Sequence, residues 1–123
     1  MKLILEGETR IRLIYDDSLE LDVESADPLL HFSPLHMLAA SLATCTMAVL
    51  LAWADGIRLS GKDLAITLEW DYAEGPYRVG EYRVRLHWPA LPENRHPVAL
   101  RVAEQCTVDA TLRHPPFIDM RIE

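Results

Sequence analysis

The sequence predicts an α+β fold in which a long buried helix packs against antiparallel sheets. The first observation is the stretch from Leu29 to Ala54, which contains no Asp, Glu, Lys or Arg. The second is a pair of alternating apolar segments, residues 64–72 and 82–88, that follows this stretch. The third is the order of the elements: strands and helices are grouped instead of alternating one by one, which favours antiparallel pairing.

Three strands are expected before the apolar stretch. Residues 2–5 form a short apolar run, and residues 9–15 and 19–24 alternate around the turn signal at residues 16–18. This pattern predicts a β-hairpin with one solvated face. Residues 25–28 end the hairpin, and the segment up to Ser33 is expected to be a connection.

The apolar stretch itself predicts a helix of roughly 20 residues. Ser33 can cap it, and Pro34 fits its first position because the N–H that proline lacks would be unpaired there anyway. Gly56 is the expected stop. A helix that is apolar on every face is a core helix or a membrane span. Its internal polar residues and the absence of a flanking basic cluster favour the core helix, partly covered by a second subunit.

Two strands, a helix and a last strand are expected after this helix. Residues 64–72 and 82–88 alternate cleanly and predict a long hairpin with one apolar face. Residues 98–106 have helical spacing, with Pro92 or Pro97 as the start, and residues 107–112 are expected to add a further turn or two. Alternation over residues 117–122 predicts a final strand.

Length and charge narrow the functional classes. At 123 residues the chain is expected to be a single domain, residues 1–123. A net charge of -7 and a pI near 5.1 argue against nucleic acid or an anionic membrane as the partner. The apolar run at the start is too short for a signal peptide, so we expect a cytoplasmic protein whose thiols are reduced.

The chemistry that the sequence can offer centres on its two cysteines, Cys45 and Cys106. Cys45 lies within the predicted helix on the same face as Leu42. One interpretation is an inert core thiol, since free cysteine is among the most buried residue types. The other is a reactive thiol, which needs a nearby cation because an apolar setting raises a thiol pKa. The five histidines are scattered without metal-ligand spacing, and no metal site is expected.

Two local patterns favour the reactive thiol. Residues 33–46, SPLHMLAASLATCT, resemble the S-P-x-x-L-L-A-A-x-L-A-x-C-T signature of the OsmC/Ohr family of osmotically inducible and organic hydroperoxide resistance proteins. Residues 106–112, CTVDATL, resemble the C-P-V-S-x-T-L signature of the same family. The resemblance runs from Thr9 to the C-terminus and includes the long hairpin between the two cysteines.

This resemblance implies an OsmC-like fold and an intertwined homodimer with two active sites at the subunit interface. It implies a stress-response oxidoreductase, a thiol-dependent peroxidase that reduces organic hydroperoxides or hydrogen peroxide. Cys45 matches the peroxidatic cysteine and Cys106 the resolving cysteine. The implied reductant is an external dithiol, and no metal, flavin or other cofactor is needed.

An arginine is needed to favour the thiolate and to bind the peroxide oxygens. In the family it comes from the N-terminal strand region, where Arg10 matches and Arg12 is the neighbouring alternative. Leu35 stands where the organic-hydroperoxide branch has a Glu that holds this arginine, and Thr107 stands where the family has Pro. The next residue, His36, is expected to be a cap, a surface residue or an interface residue.

The missing glutamate favours an alternative function on the same fold, a non-catalytic binding protein. In that case an apolar pocket of the dimer interface, walled by Leu35 and Leu42, would hold a small hydrophobic molecule. In the peroxidase the same two residues would contact the substrate. A purely structural dimer is the third class, and two inaccessible thiols would indicate it.

Overall fold

The computed structural model describes residues 2–6, 10–15, 18–24 and 33–123. The chain forms two compact units, Met1–Leu38 and Ala39–Glu123. The mixture of helices with antiparallel sheets confirms the predicted α+β class. The turn expected at residues 16–17 and the connection expected at residues 25–32 lie outside the described residues. The prediction of a single domain stays a prediction.

Three strands of the N-terminal unit form an antiparallel sheet in the order β1-β2-β3. Strand β1 is Lys2–Glu6, β2 is Arg10–Tyr15 and β3 is Ser18–Glu24. The pairing of Tyr15 with Ser18 closes the hairpin between β2 and β3, as the alternating pattern predicts. The register shifts between Leu13 and Ile14, where a bulge interrupts the ladder.

Helix α1, Pro34–Gly56, begins at the proline that the sequence indicates. The Met37 N–H donates to the Ser33 carbonyl at 2.9 Å, and Ser33 Oγ pairs with His36 Nδ1 at 2.7 Å. His36 is exposed, in agreement with a surface role. A single stripe of the helix is buried within this chain: Ala39, Leu42, Thr46, Leu50 and Ala54. By length and composition α1 could also cross a membrane, a test that core helices of soluble proteins pass as well.

Helix α1 ends at Gly56, and the residue that caps it lies two positions beyond this predicted stop. Leu59 N–H donates to the Ala54 carbonyl at 2.9 Å, and Arg58 N–H donates to the Asp55 carbonyl at 3.1 Å. Arg58 has a φ of 56°, so it is the left-handed residue of a Schellman motif. Gly56 is the last residue of the helix, and an arginine occupies the position that glycine usually fills.

Strands β4, Ala65–Ala73, and β5, Arg78–His87, form the long hairpin that the alternation predicts. The ladder extends to Ala73 paired with Arg78, so β5 begins four residues before the predicted start at Tyr82. A bulge between Asp71 and Tyr72 ends the strict alternation. Tyr72 is therefore half exposed and stacks on Tyr77, with ring centroids 5.2 Å apart.

The helical segment after the hairpin is divided into short helices. A 3-10 turn, Glu93–Arg95, follows Pro92 and precedes α2, His96–Ala103, whose first turn contains Pro97. Helix α3, Thr107–Arg113, is a separate element. The predicted continuation of one helix through Cys106 is wrong, because Cys106 has the extended dihedrals φ -58° and ψ 127° and caps α3. That position decides the geometry of the site.

The predicted final strand over residues 117–122 is also wrong. The segment after His114 contains no strand, and its apolar side chains are exposed within this chain: Phe117, Ile118, Met120 and Ile122. Alternation specifies which face of a strand is apolar, but a strand forms only where a neighbouring strand pairs with it. No described strand pairs with residues 115–123.

The core of the C-terminal unit lies where α1, the hairpin and α2 meet. Leu50 and Ala54 of α1 pack with Trp88 and Ala99 in one buried cluster, which also includes Leu64. The Trp88 indole donates to the Ser60 carbonyl at 2.9 Å, so its buried N–H is satisfied. This cluster fixes α1 against the segment that carries α2 and α3.

Candidate active site

The Cys45 thiol faces the beginning of helix α3. Cys45 is half-buried in the middle of α1, and its Sγ lies 3.7 Å from the Thr107 hydroxyl oxygen. The Cys106 thiol and the backbone N–H groups of Val108 and Thr107 lie near enough to Cys45 to lower the pKa of its thiol. The first N–H groups of a helix have no partner within the helix, so those of α3 are free to serve this sulfur.

The second thiol is placed by the same helix start. Cys106 is fully buried, and as the N-cap of α3 its Sγ accepts a hydrogen bond from the Asp109 N–H at 3.4 Å. The Ala110 N–H donates to the Cys106 carbonyl at 3.0 Å and closes the first turn. A capping sulfur thus holds Cys106 in one position beside Cys45.

The surroundings of the two thiols shift their pKa values in opposite directions. The hydrogen bond from the Cys106 thiol, followed by the Val108 N–H, lowers the pKa of Cys45 below its usual value of 9.0, and desolvation opposes this only in part. Burial, followed by the hydrogen bond to Cys45, raises the pKa of Cys106 above the same value. Cys45 therefore loses its proton more readily than Cys106 does.

This arrangement places the more acidic of the two thiols beside the less acidic one. The thiolate is the reactive form of cysteine, and a partially exposed thiolate beside a second thiol is typical of redox-active pairs. Neither cysteine is in a disulfide. Within the described ranges no three or more His, Cys, Asp or Glu side chains lie together in a way that could hold a metal ion.

A cavity of about 250 Å³ lies in the same unit and has an apolar part and a polar part. Leu42, Val84 and Leu86 are among its apolar lining residues. Neither cysteine lines the cavity, but Asp109 does, and its N–H donates to the Cys106 sulfur. The buried Tyr82 hydroxyl also lines the cavity and has no hydrogen-bond partner in the described part of the chain.

The predicted site residues fall into two groups. Cys45, Cys106 and Leu42 belong to the C-terminal unit, where the two thiols meet and Leu42 lines the cavity. Arg10 begins strand β2, and its side chain lies outside the described residues, as does that of Arg12. Leu35 is half-buried in the first turn of α1 and is not among the residues that line this cavity. The roles of Arg10 and Leu35 stay predictions.

Sequence reasoning missed the contribution of α3. Thr107 counted only as a departure from the proline of the second motif, yet its hydroxyl and N–H both reach Cys45. A signal for this was present. The order Cys-Thr-Val-Asp places an acidic residue at the third position after a polar cap, which is typical of a helix start.

Comparison with known proteins agrees with the fold and the motifs. The family model for OsmC-like proteins matches residues 11–121. The chain belongs to the OsmC-like family. A solved structure from Psychrobacter arcticus 273-4, of a protein described as an osmotic stress induced and detoxification response protein, is similar to this chain with a TM-score of 0.68. The identity is 21%, over 89% of this chain and 85% of that chain, and the likeness shows the OsmC-like fold.

A comparison with the sequences of curated proteins found no significant match to this chain. The OsmC-like family includes stress-related peroxidases.

Proposed function

We propose that this OsmC-like protein is a thiol-dependent peroxidase in which Cys45 attacks the peroxide and Cys106 resolves the product. One observation carries the proposal: the start of α3, where Cys106 is the cap, lies against Cys45, with Thr107 Oγ 3.7 Å from the Cys45 sulfur. The pKa of Cys45 is lowered there and that of Cys106 is raised. The cysteine that attacks must be ionised, whereas the cysteine that resolves must stay intact until the first step is complete.

The reaction balances with one peroxide and one external dithiol. The Cys45 thiolate attacks the terminal peroxide oxygen, the O–O bond breaks, and the alkoxide or hydroxide that leaves takes up a proton to become alcohol or water. Cys45 is then a sulfenic acid, which condenses with the Cys106 thiol to a disulfide and releases water. The external dithiol reduces this disulfide by exchange and is itself oxidised to a disulfide.

Arginine has a separate role in this proposal. Arg10, or its neighbour Arg12, supplies the cation that binds the peroxide oxygens, because a guanidinium presents several donors in a fixed plane. The donors from Cys106 and α3 hold the thiolate in the resting protein. Loss of the arginine is therefore expected to impair peroxide reduction more than it impairs alkylation of Cys45 by a neutral reagent.

An organic hydroperoxide is the substrate that the cavity suits best. Its hydrocarbon part would lie against Leu42 and the apolar hairpin residues, and the substrate contact expected of Leu35 stays a prediction. The unpartnered Tyr82 hydroxyl offers a hydrogen bond to the polar end of such a molecule. Hydrogen peroxide needs none of these contacts, so a preference for organic hydroperoxides is expected.

A homodimer and a cytoplasmic stress-response role complete the proposal. Only one stripe of α1 is buried within the chain, although almost the whole helix is apolar. A second copy of the chain would cover the remaining apolar side chains. The described osmotic-stress role of the Psychrobacter protein supports the stress-response assignment.

Turnover tests this function. Peroxide consumption is followed with cumene hydroperoxide or hydrogen peroxide, with dihydrolipoamide as the dithiol, for wild type, Cys45→Ser and Cys106→Ser. We expect turnover by wild type only, faster with cumene hydroperoxide, and a sulfenic acid on Cys45 of the Cys106→Ser variant that dimedone traps. Equal peroxide loss with wild type and Cys45→Ser would contradict the proposal.

The cavity favours a second candidate, the non-catalytic binding of a small hydrophobic molecule. An apolar wall with one unpartnered hydroxyl is a reasonable site for such a ligand. Native mass spectrometry of the protein purified from cells distinguishes the two functions. A bound small molecule together with thiols that resist peroxide would favour the binding protein, whereas an empty protein with reactive thiols favours the peroxidase.

A further inference from the structure

We propose that Thr107 is a positioning residue of the thiol site and that it holds the Cys45 sulfur with two donors, its hydroxyl and its backbone N–H. The inference deepens the proposed function, because it takes Cys45 as the nucleophile of the peroxidase. It concerns what keeps that sulfur ionised and oriented before any peroxide arrives.

The position of Thr107 at the start of α3 makes both donors available. Its hydroxyl oxygen lies 3.7 Å from Cys45 Sγ, within the longer range of hydrogen bonds to sulfur. Its N–H is one of the first of the helix, which have no carbonyl to pair with inside it. The preceding residue, Cys106, is fixed as the cap by the Asp109 N–H. The backbone of Thr107 is therefore fixed beside Cys45 by the first turn of α3.

The chemistry of the side chain matters as much as its place. Proline, the residue that the second family motif has here, would supply neither an N–H nor a hydroxyl. At this position, beside the Cys45 thiol, the family motif has a residue without hydrogen-bond donors, whereas this chain has Thr107 with two. Both donors act in the direction that favours the thiolate, in line with the lowered pKa of Cys45.

Three substitutions separate the two donors. Thr107→Ser keeps both, Thr107→Val removes only the hydroxyl at nearly constant shape, and Thr107→Pro removes both. Proline is compatible with this position, because it is favoured in the first turn of a helix and because Cys106 already has dihedrals that a residue before proline adopts. Thr111→Val is the matched control, since its hydroxyl donates to the Thr107 carbonyl and has no described contact with Cys45.

The measurement is the rate at which iodoacetamide alkylates Cys45 of the full chain across a pH series, with the modified peptide identified by mass. The midpoint of the rate profile is expected to move to higher pH in the order Ser, Val, Pro, with Ser close to wild type. Below the midpoint, the Pro variant is expected to react with iodoacetamide roughly threefold more slowly than the wild type, because a smaller fraction of Cys45 is thiolate at a given pH. A sulfur with a higher pKa is more nucleophilic, which offsets part of this loss.

The outcome is decided without peroxide, so the inference and the proposed function fail separately. An unchanged profile in both the Val and the Pro variants would overturn the role of Thr107, even in an active peroxidase. The expected shifts in a protein without turnover would support Thr107 and contradict the proposed function. If the Pro variant does not fold, the contrast between Thr107→Ser and Thr107→Val still tests the hydroxyl. A shift in Thr111→Val equal to that in Thr107→Val would overturn the role of the Thr107 hydroxyl, because the shift would then come from a general change in α3.

Discussion

Neutral groups among the described residues lower the pKa of Cys45. The groups that lower its pKa are the Cys106 thiol, the N–H groups of Val108 and Thr107 and the Thr107 hydroxyl. A cation is the usual means of stabilising a reactive thiolate, and the start of a helix is another. The groups that lower the pKa of Cys45 in the C-terminal unit lie at the start of α3, and in the proposed peroxidase an arginine would bind the peroxide instead.

Removal of the Cys106 thiol is expected to make Cys45 less reactive. Because the pKa of Cys45 lies below its usual value, alkylation increases as the pH rises through that lowered pKa and levels off above it. Cys106→Ala removes the largest cause of the lowering, so the profile moves to higher pH and the rate at pH 7 falls roughly 3- to 10-fold. Cys106→Ser keeps a donor and serves as the control. The idea fails if both variants alkylate at the wild-type rate.

At the level of residues, the sequence predicted the two thiols and left their surroundings open. The motifs identified Cys45 and Cys106 because solitary cysteines in fixed contexts are visible in one dimension. The donors on α3 depend on a helix start only a few residues away from Cys106, and helix boundaries are the least certain part of a sequence pattern. The sequence alone therefore indicates only that Thr107 replaces the proline of the family motif, and it does not indicate that Thr107 can donate hydrogen bonds to Cys45.

At the level of elements, the end of α1 places an arginine in a conformation that suits glycine. Arg58 has a φ of 56°, which costs an L-residue roughly 1–2 kcal/mol. Arg58→Gly removes that cost and adds some freedom to the unfolded chain, so the free energy of unfolding is expected to rise by about 0.5–1 kcal/mol. Urea denaturation followed by circular dichroism measures it. Arg58→Ala, which keeps the Cβ atom, is the control and is expected to gain much less.

The buried stripe of α1 gives a second prediction about an element. Leu50 is completely buried in the core cluster, whereas the next residue, Leu51, is 39% exposed. Leu50→Ala is expected to lower the free energy of unfolding by about 2–5 kcal/mol, because it leaves a cavity among well-packed side chains. Leu51→Ala is the matched control; because the proposed dimer would cover Leu51, both variants are compared in the Ala48→Glu background, where the expected loss for Leu51→Ala is about 1 kcal/mol or less. Similar losses for both variants in urea denaturation would contradict the orientation of the helix.

The elements also show where periodicity is insufficient. It predicted β4 and β5 well, because both strands alternate and pair with each other in one hairpin. The same alternation over residues 117–122 produced no strand, since no described strand is adjacent to pair with it. The continuous helix expected through Cys106 ended early because a capping sulfur competes with the helix for the Asp109 N–H.

At the level of the whole molecule, the apolar surface of α1 is larger than one chain covers. The exposed side of this helix includes Thr44, Ala48 and Ala52, and the apolar side chains after residue 116 are exposed as well. Contiguous apolar surface of this kind marks an association site in soluble proteins. Sequence could predict this surface from the charge-free stretch, but complementarity between two copies is not encoded in any local pattern.

A charge on the exposed side of α1 is expected to prevent dimer formation. Ala48→Glu would bury a carboxylate without a partner in the proposed interface, a cost that exceeds what small dimers tolerate. Ala110→Glu adds the same charge at an exposed position of α3 and is the control. Sedimentation velocity at micromolar concentration is expected to show a dimer for wild type and the control, and a monomer for Ala48→Glu. A monomeric wild type would contradict the proposed homodimer.

The most direct test of the central claim is the state of the two thiols after a short pulse with one equivalent of cumene hydroperoxide. Intact mass and peptide mapping are measured on the wild type, Cys45→Ser and Cys106→Ser proteins. The wild type is expected to lose two hydrogen atoms and to form a Cys45–Cys106 disulfide that a dithiol reverses, while Cys106 of the Cys45→Ser variant stays a thiol. Two thiols that survive the pulse in the wild type would contradict the peroxidase, however close together the sulfur atoms lie.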